Sequence, residues 1–427
     1  MTTTDNQAEA AHRSDNTQIY LYFGALTLFL YIATPGGALV DIATSFMLKN
    51  QLHASPEAVA RFRFITAVPV FVAFIFGFIR DTWNPFRMRD RGYFLIFSPV
   101  TAAVFVWLAF SKLTLPTLYT GILSAILAFR LVASAYQALI ALVGEEKLMS
   151  GRLSTVWNVV LSLPAVAAAW GSGYVTEHLT AHQIFLLMAA LCLSLGFIGL
   201  WKPKAVYKGT YENPRAQGTT LRGDIVRLIK HRAIYPAVLI CFLWNFAPGM
   251  NTPLQFYLTN ELHCSDAIYA NFQAIFFFSF IPTFLLYGYL CKRYPLKKLL
   301  LWGTIVAVPQ VIPLAFVHSS RGAELLAIPI GLMGGIANAA YIDLAMRSCP
   351  PGLQGSLMMM VDGVFALSSR GGDILGTWIY SAGKPYGFLY CVIATTTVYM
   401  AILPCIQLIP KHIISTADGE ENLEVNK

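Results

Sequence analysis

Residues 92–111 read GYFLIFSPVTAAVFVWLAFS, twenty positions without one charged side chain. Wound as a helix at about 1.5 Å per residue, that run is ~30 Å long, the thickness of a bilayer's hydrocarbon core. Its reading sets the solvent for the rest of the chain, because eleven more predominantly apolar runs follow the same pattern. They lie at about 18–48, 57–80, 114–143, 153–177, 182–201, 234–258, 267–290, 296–317, 324–346, 354–382 and 386–409. Pro and Gly recur inside them, which membrane helices tolerate where neighbours re-satisfy the backbone. The expected fold is therefore an all-α membrane protein with twelve transmembrane helices.

Composition agrees. The 427 residues are 56% hydrophobic and 12% charged, against about 25% charged in an average soluble domain. Mean hydropathy is +0.58. The formal net charge of +8 sits in alternate loops, which argues against a nucleic-acid partner and for cytoplasmic retention of Lys and Arg. The connection after the second run holds Arg80, Arg87, Arg89 and Arg91, and that after the eighth holds Lys292, Arg293, Lys297 and Lys298. The opposite loops are poor in both. The rule places both termini in the cytoplasm, with the chain in the inner (cell) membrane. Seven scattered cysteines without a C-x-x-C pair read as packing residues.

The spans divide six and six. Residues 1–17 read as a disordered cytoplasmic tail, 18–201 as an N-terminal half, 202–233 as a cytoplasmic linker, 234–410 as a C-terminal half and 411–427 as a disordered C-tail. Within the linker, Leu221, Ile225, Leu228 and Ile229 recur at helical spacing among basic residues. That suggests a helix lying on the inner membrane surface, with a plain solvated linker as the alternative. The halves also echo each other. Gly77-Phe78-Ile79-Arg80-Asp81 closes span 2, and Gly288-Tyr289-Leu290-Cys291-Lys292-Arg293 closes span 8, each before a basic turn.

The Gly77-x-x-x-Asp81 turn with its trailing arginines resembles the loop 2–3 motif of the major facilitator superfamily. Two longer blocks narrow the resemblance to the folate–biopterin transporter family. One runs from Leu48-Lys49-Asn50-Gln51-Leu52-His53-Ala54-Ser55-Pro56 through Pro69 to Gly77, Asp81, Pro85, Arg89, Arg91 and Tyr93. The other is Phe242-Leu243-Trp244-Asn245-Phe246-Ala247-Pro248-Gly249 with Phe256-Tyr257-Leu258-Thr259-Asn260-Glu261-Leu262. Pro85 stands one residue late, and Asp90 interrupts the arginines. The resemblance implies secondary transport of folate or pterin by alternating access, with a site between the halves near midplane. Related branches carry muropeptides or nucleotide-like solutes. A non-transporting receptor on the same fold is the rival from another class.

Ionisable groups at bilayer depth cost several kcal/mol, about 2.5–3.5 on insertion scales, unless paired or hydrated. They are therefore the candidate working residues. Arg130 in span 4 is a candidate anchor for an anionic substrate group, since guanidinium binds carboxylate bidentately; a structural ion pair is the alternative. Span 11 carries Asp362, Arg370 and Asp373. Arg370 either pairs with Asp373 along the helix or holds substrate while Asp362 or Asp373 takes up a proton. Asp41 in span 1 is a further proton-site candidate. Asn158, Trp244, Asn245, Asn338 and Tyr341 are candidate cavity residues, with interhelical packing as the alternative; Trp157 and Gln273 belong with them. Gly77, Asp81, Arg89 and Arg91 are candidate gate residues: the aspartate can pair with the arginines or face a neighbouring helix terminus. Arg61 and Arg63 are expected to snorkel to headgroups, and Asp343 to act as a gate or cap.

Other chemistry is missing from the sequence. There is no G-x-x-x-x-G-K-[ST] loop and no H-E-x-x-H. No nucleophile–base set is apparent. The expectation is a monomeric carrier of a small molecule, coupled to protons, with no catalytic residues, no metal site and no cofactor.

Overall fold

The computed structural model describes residues 3–37, 40, 44, 47–48, 52–53, 55–207, 221–317 and 319–420, and among them it is helical throughout, without strands. The N-terminal half comprises α1 (Thr3–Ile32), α2 (Pro56–Phe71), α3 (Phe74–Thr82), α4 (Asp90–Phe110), α5 (Leu115–Glu146), α6 (Ser150–His178) and α7 (Ala181–Leu200). Short helices α8 (Lys204–Tyr207) and α9 (Leu221–Lys230) lie in the linker. The C-terminal half comprises α10 (Ile234–Asn245), α11 (Thr252–Phe256), α12 (Asp266–Leu290), α13 (Leu296–Ala307), α14 (Ser320–Arg347), α15 (Gln354–Ala382), α16 (Gly387–Met400) and α17 (Ile402–Gln407), with α18 (Lys411–Ile414) after it.

Several spans are built from two helices, and proline explains where they divide. Span 2 breaks at Val72–Ala73, just after Pro69 in α2. Span 7 unwinds between Asn245 and Thr252 around Pro248-Gly249. Span 9 passes from α13 into a 3-10 winding at Val308–Phe316, which contains Pro313. Each proline removes an N–H and clashes with the preceding turn. The freed groups of span 7 find other partners: Gly249 N donates to Thr395 Oγ1 at 2.9 Å.

The two most extensive pairings between the halves are α3 with α15 and α6 with α12, and α5 with α15 and α6 with α14 add to them. The first two are spans 2 with 11 and 5 with 8, the same contact twice under the internal two-fold relation. Among the described residues, eight helical stretches are long and apolar enough to cross a membrane. Span 7 is not among them because its apolar helix α10 stops at Asn245. The most buried of the eight are spans 4 and 10, at 72% and 56%.

Helix starts differ between the two ends of the bundle. Spans 2, 4, 6, 8 and 10 all begin on the side away from the termini. Each takes a local cap, from Ser55, Thr114, Thr180, Ser265 and Ser319, which satisfies an otherwise orphaned N–H. On the terminus-bearing side, the starts of α4, α13 and α15 have no capping side chain from the preceding residue.

Two expectations need correction. Residues 3–17 do not form a separate disordered tail; they continue α1 without a break, as the helix-forming Gln7–Ala11 stretch favours. The C-tail is ordered to residue 420, with Ile413, Ile414, Ala417 and Asp418 buried; its apolar side chains find cover that charge counting did not foresee. In the linker, α9 occurs where helical spacing suggested one. Leu228 is buried while Ile229 is exposed, and residues 208–220 lie outside the described set.

Close helix contact depends on glycine where backbones touch. A Cβ on Gly376 of α15 would lie 1.7 Å from the Pro248 carbonyl oxygen, whereas one on Gly24 of α1 would meet nothing within 4 Å. Gly376→Ala should therefore lower stability by about 1–3 kcal/mol, as overpacking does, and Gly24→Ala should be neutral or slightly stabilising. Thermal unfolding of both variants in detergent checks this; equal melting temperatures would refute the packing argument.

Candidate functional site

A cavity of about 610 Å³ lies between the halves. Its walls come from Thr34–Gly36 of span 1, Arg63 and Phe71 of α2, Phe129 and Arg130 of α5, Asn251, Thr252 and Gln255 around α11, Tyr269 of α12, and Ser369, Arg370 and Asp373 of α15. Arg130 is the sixteenth of 32 residues in α5 and Arg370 the seventeenth of 29 in α15. Both stand near mid-membrane at the floor of a space that extends away from the termini.

The charged residues divide into tied and untied. Arg130 Nη1 meets Asp362 Oδ2 at 2.5 Å, joining α5 to α15 across the halves. Two sequence candidates, an anchor and a proton site, are thus one ion pair in this state. Asp373 does not pair with Arg370. Its carboxylate caps α11 instead, accepting from Thr252 N and Thr252 Oγ1, both at 2.9 Å, because the unwound span 7 leaves that helix start without a local cap. Arg370 faces the cavity and has no carboxylate within ion-pair reach among the described residues. Asp41 lies outside the described residues.

Arg63 corrects an expectation: it lines the cavity instead of reaching for headgroups. Tyr269 and Gln255 are further wall residues that sequence reasoning missed. Gln273, expected in the cavity, holds Tyr269 in place through a 2.8 Å hydrogen bond to its hydroxyl.

The amide and aromatic candidates form a second layer and do not line this cavity. Trp244 Nε1 donates to Asn338 Oδ1, and Asn338 Nδ2 donates to Asn158 Oδ1, each at 2.8 Å. The chain runs from span 7 through span 10 to span 5, so it bridges the halves. Trp244 also stacks on Tyr399 at 4.9 Å and meets Tyr341 edge-on. Tyr341 is buried against Thr304, and Asn245 turns back to Cys241 O at 3.1 Å. Side-chain glue is the role that their geometry gives them here.

Beyond that layer the terminus-bearing side is shut. Asp81 accepts from Gly355 N at 3.1 Å, Ser356 N at 2.7 Å and Ser356 Oγ at 2.6 Å. It caps the start of α15 from the other half. The expected arginines are not its partners. Arg80 bonds Asp81 at 2.9 Å and clamps Asp90 with two bonds of 2.5 and 2.7 Å. The acidic Asp90 that interrupts the arginine run is therefore the residue that aims Arg80. Arg91 instead caps the end of α7, donating to Gly199 O and Leu200 O. The Arg89 N–H donates to Asn84 Oδ1, shaping the turn. Gly77 permits the contact, since a Cβ there would lie 2.3 Å from Gly355 O. Asp343 pairs with Arg347 at 2.8 Å and accepts from Tyr287, on the same closed side.

Comparison with known proteins follows the same lines. The family model for the Major Facilitator Superfamily matches residues 18–370. The chain is 22% identical to a folate-biopterin transporter of Synechocystis over 410 residues, covering 90% of this chain and 81% of that one. It is 21% identical to folate transporter 2 of Plasmodium falciparum, covering 83% and 78%. The resemblance drawn from the loop and span 7 blocks is borne out by these relatives. In fold, the chain is similar to the crystal structure of the human organic anion transporter MFSD10 (TETRAN). The TM-score is 0.62 at 13% identity, over 91% of this chain and 98% of that one.

The tied and untied arginines should differ in stability. Arg130→Gln or Asp362→Asn alone should cost about 1–3 kcal/mol, below the ~3–5 of a fully enclosed pair, since the Asp362 side chain is 30% exposed to the cavity. The double variant should recover part of that loss, and Arg370→Gln should cost nothing. Melting temperatures of the four variants decide; additive single effects would mean that the pair contributes no coupling.

Proposed function

The chain belongs to the major facilitator superfamily, and from that premise we propose that it carries an anionic heteroaromatic solute, folate or pterin, by proton-coupled alternating access. It is an integral, multi-pass membrane transporter and not an enzyme. The substrate class and the proton are our reading. The observation that carries it is Arg370: a mid-membrane guanidinium facing a cavity with no counter-ion among the described residues. Such a group is costly to bury unless something anionic comes to it, and a planar fork suits a carboxylate or an oxo-anion. Phe71, Phe129 and Tyr269 supply flat surface beside it, and the relatives named for folate and biopterin favour the same class.

Coupling would run through the Arg130–Asp362 pair. A substrate anion reaching Arg130 competes with Asp362 for the guanidinium. The displaced Asp362 carboxylate is the group to which we assign the coupled proton. One proton would thus accompany each anion. Asp373, already engaged at Thr252, serves as wall and cap. By the distribution of Lys and Arg we place both termini in the cytoplasm, so that this state faces outward, loaded from outside and shut inside by Asp81. The chain would work as a monomer in the inner membrane.

Uptake of labelled folate and pterin into proteoliposomes, outside acidic, tests the reading. Arg370→Gln should raise KM more than about tenfold, as loss of a charged hydrogen bond does, while Asp362→Asn should keep exchange of solute but lose accumulation driven by the gradient. No uptake by well-folded protein would exclude this substrate class. Gradient-driven accumulation by Asp362→Asn would remove that residue from coupling.

A further inference from the structure

Under the two-fold relation between the halves, the aspartate of the closed side does not repeat. In the N-terminal half, Asp81 stands four residues after Gly77 and caps α15. In the C-terminal half the corresponding glycine is Gly288, packed against Thr155 of α6. Four residues on stands Lys292. A cation is the wrong sign for a helix start, where free N–H groups and the macrodipole favour an anion. The start of α6 should therefore be the weak point of the closed face.

It is capped nonetheless. Gly151 N, the second residue of α6 as Gly355 is of α15, donates to Asp418 Oδ1 at 3.0 Å. Arg152 Nε donates to Asp418 Oδ2 at 2.6 Å. The carboxylate comes from the C-terminal tail. That tail is fastened to the C-terminal half: Asp418 N donates to Cys291 O at 2.8 Å, Leu296 N to Thr416 O at 3.3 Å, and Arg347 Nη1 to Thr416 O at 3.0 Å. Ile413 and Ile414 are buried in the same seat. Gly419, at φ +99, turns the chain there in a conformation few other residues adopt.

We propose that the C-terminal tail completes a second latch, with Asp418 standing in for the aspartate that the loop after span 8 lacks. Both latches have the same form: a carboxylate carried by one half caps the first turn of a helix in the other. When the halves part on this side, the break falls between Asp418 and α6. The tail's backbone bonds and buried isoleucines keep it with the C-terminal half. Asp418 is thus a positioning residue for alternating access. The inference rests on the alternating-access reading but not on the identity of the solute.

The test measures conformation without any solute, so a wrong substrate class leaves it intact. Full-length protein in nanodiscs is compared with Asp418→Asn and with a chain ending at residue 414, after each is shown to be monodisperse. Three thiols report. Cys291 lies under Asp418. Cys349 is buried near the Asp81 latch, at 4% exposure. An Ala67→Cys reporter, added to each version, stands in the cavity wall. If the tail latches the halves, losing the carboxylate opens the closed side: Cys349 is alkylated faster and the Ala67→Cys thiol more slowly, each by about tenfold, as for one lost charged hydrogen bond. Faster reaction of Cys291 alone, with the other two unchanged, would make the tail a mere cover and overturn the proposal. Unchanged rates at all three thiols in both variants would overturn it as well.

Discussion

A helix start is a cluster of unpaired N–H donors, and inside a membrane protein those donors must be met by the protein itself. On the side away from the termini, serine and threonine meet them locally in five of the six spans that start there, at Ser55, Thr114, Thr180, Ser265 and Ser319, span 12 having no such cap. On the closed side, α15 and α6 are met from across the interface by Asp81 and Asp418. The difference has a mechanical meaning. A local cap moves with its helix and holds whatever the halves do. A cap from the other half holds only while the halves are together, so its bonds act as a latch between two arrangements.

The latch needs close approach as well as charge. Gly77 lies against Gly355 and Ser356, and Gly151 against Cys291, each so near that a side chain would collide. Small residues let the helix start come within hydrogen-bond range of the carboxylate. The neighbouring ions then aim the groups: Arg80 is held by Asp90 and in turn steadies Asp81. Tyr287 and Arg347 do the same for Asp343. The closed face is consequently close-packed and specific, while the opposite side keeps a cavity where charge can be exchanged with a solute.

Sequence reading reached the architecture because membrane insertion leaves a strong one-dimensional trace. Apolar runs of bilayer length, charge in alternate loops and the long polar stretch at the centre need no knowledge of contacts. The site was legible only as a set of suspects. Arg130, Asp362 and Arg370 stood out through the cost of burying charge, but which aspartate answers which arginine depends on rotation of helices far apart in sequence. Arg130 and Asp362 are separated by 232 positions. Proximity along the helix suggested an Arg370–Asp373 pair instead. It does not form because span 7 unwinds at Pro248-Gly249 and presents a helix start that competes for the Asp373 carboxylate. Trp244, Asn338 and Asn158 were polar groups in the right spans, and only the packing reveals that they bond one another. Arg63 was misassigned because a position near a span's end looks the same whether it turns to lipid or inward.

The two kinds of charge in this protein answer different demands, and their placement follows from that. Asp81 and Asp418 are almost wholly enclosed, and their carboxylates accept four and two hydrogen bonds respectively. A carboxylate so engaged is costly to uncover, which suits a contact that must hold one state firmly and be replaced as a unit in the other. Arg130 and Asp362 form a single pair beside open space, with Arg370 lining the same cavity and no carboxylate partner for it among the described residues. That pair is held by one bond, in a place where water and solute can compete. A transporter needs both: gates that change only when the halves move, and a centre where modest competing charge decides whether they do. The first requirement puts multiply bonded anions at helix starts in the closed face. The second leaves a guanidinium near the middle of the membrane without a carboxylate partner among the described residues, a costly location and therefore one poorly explained by folding alone.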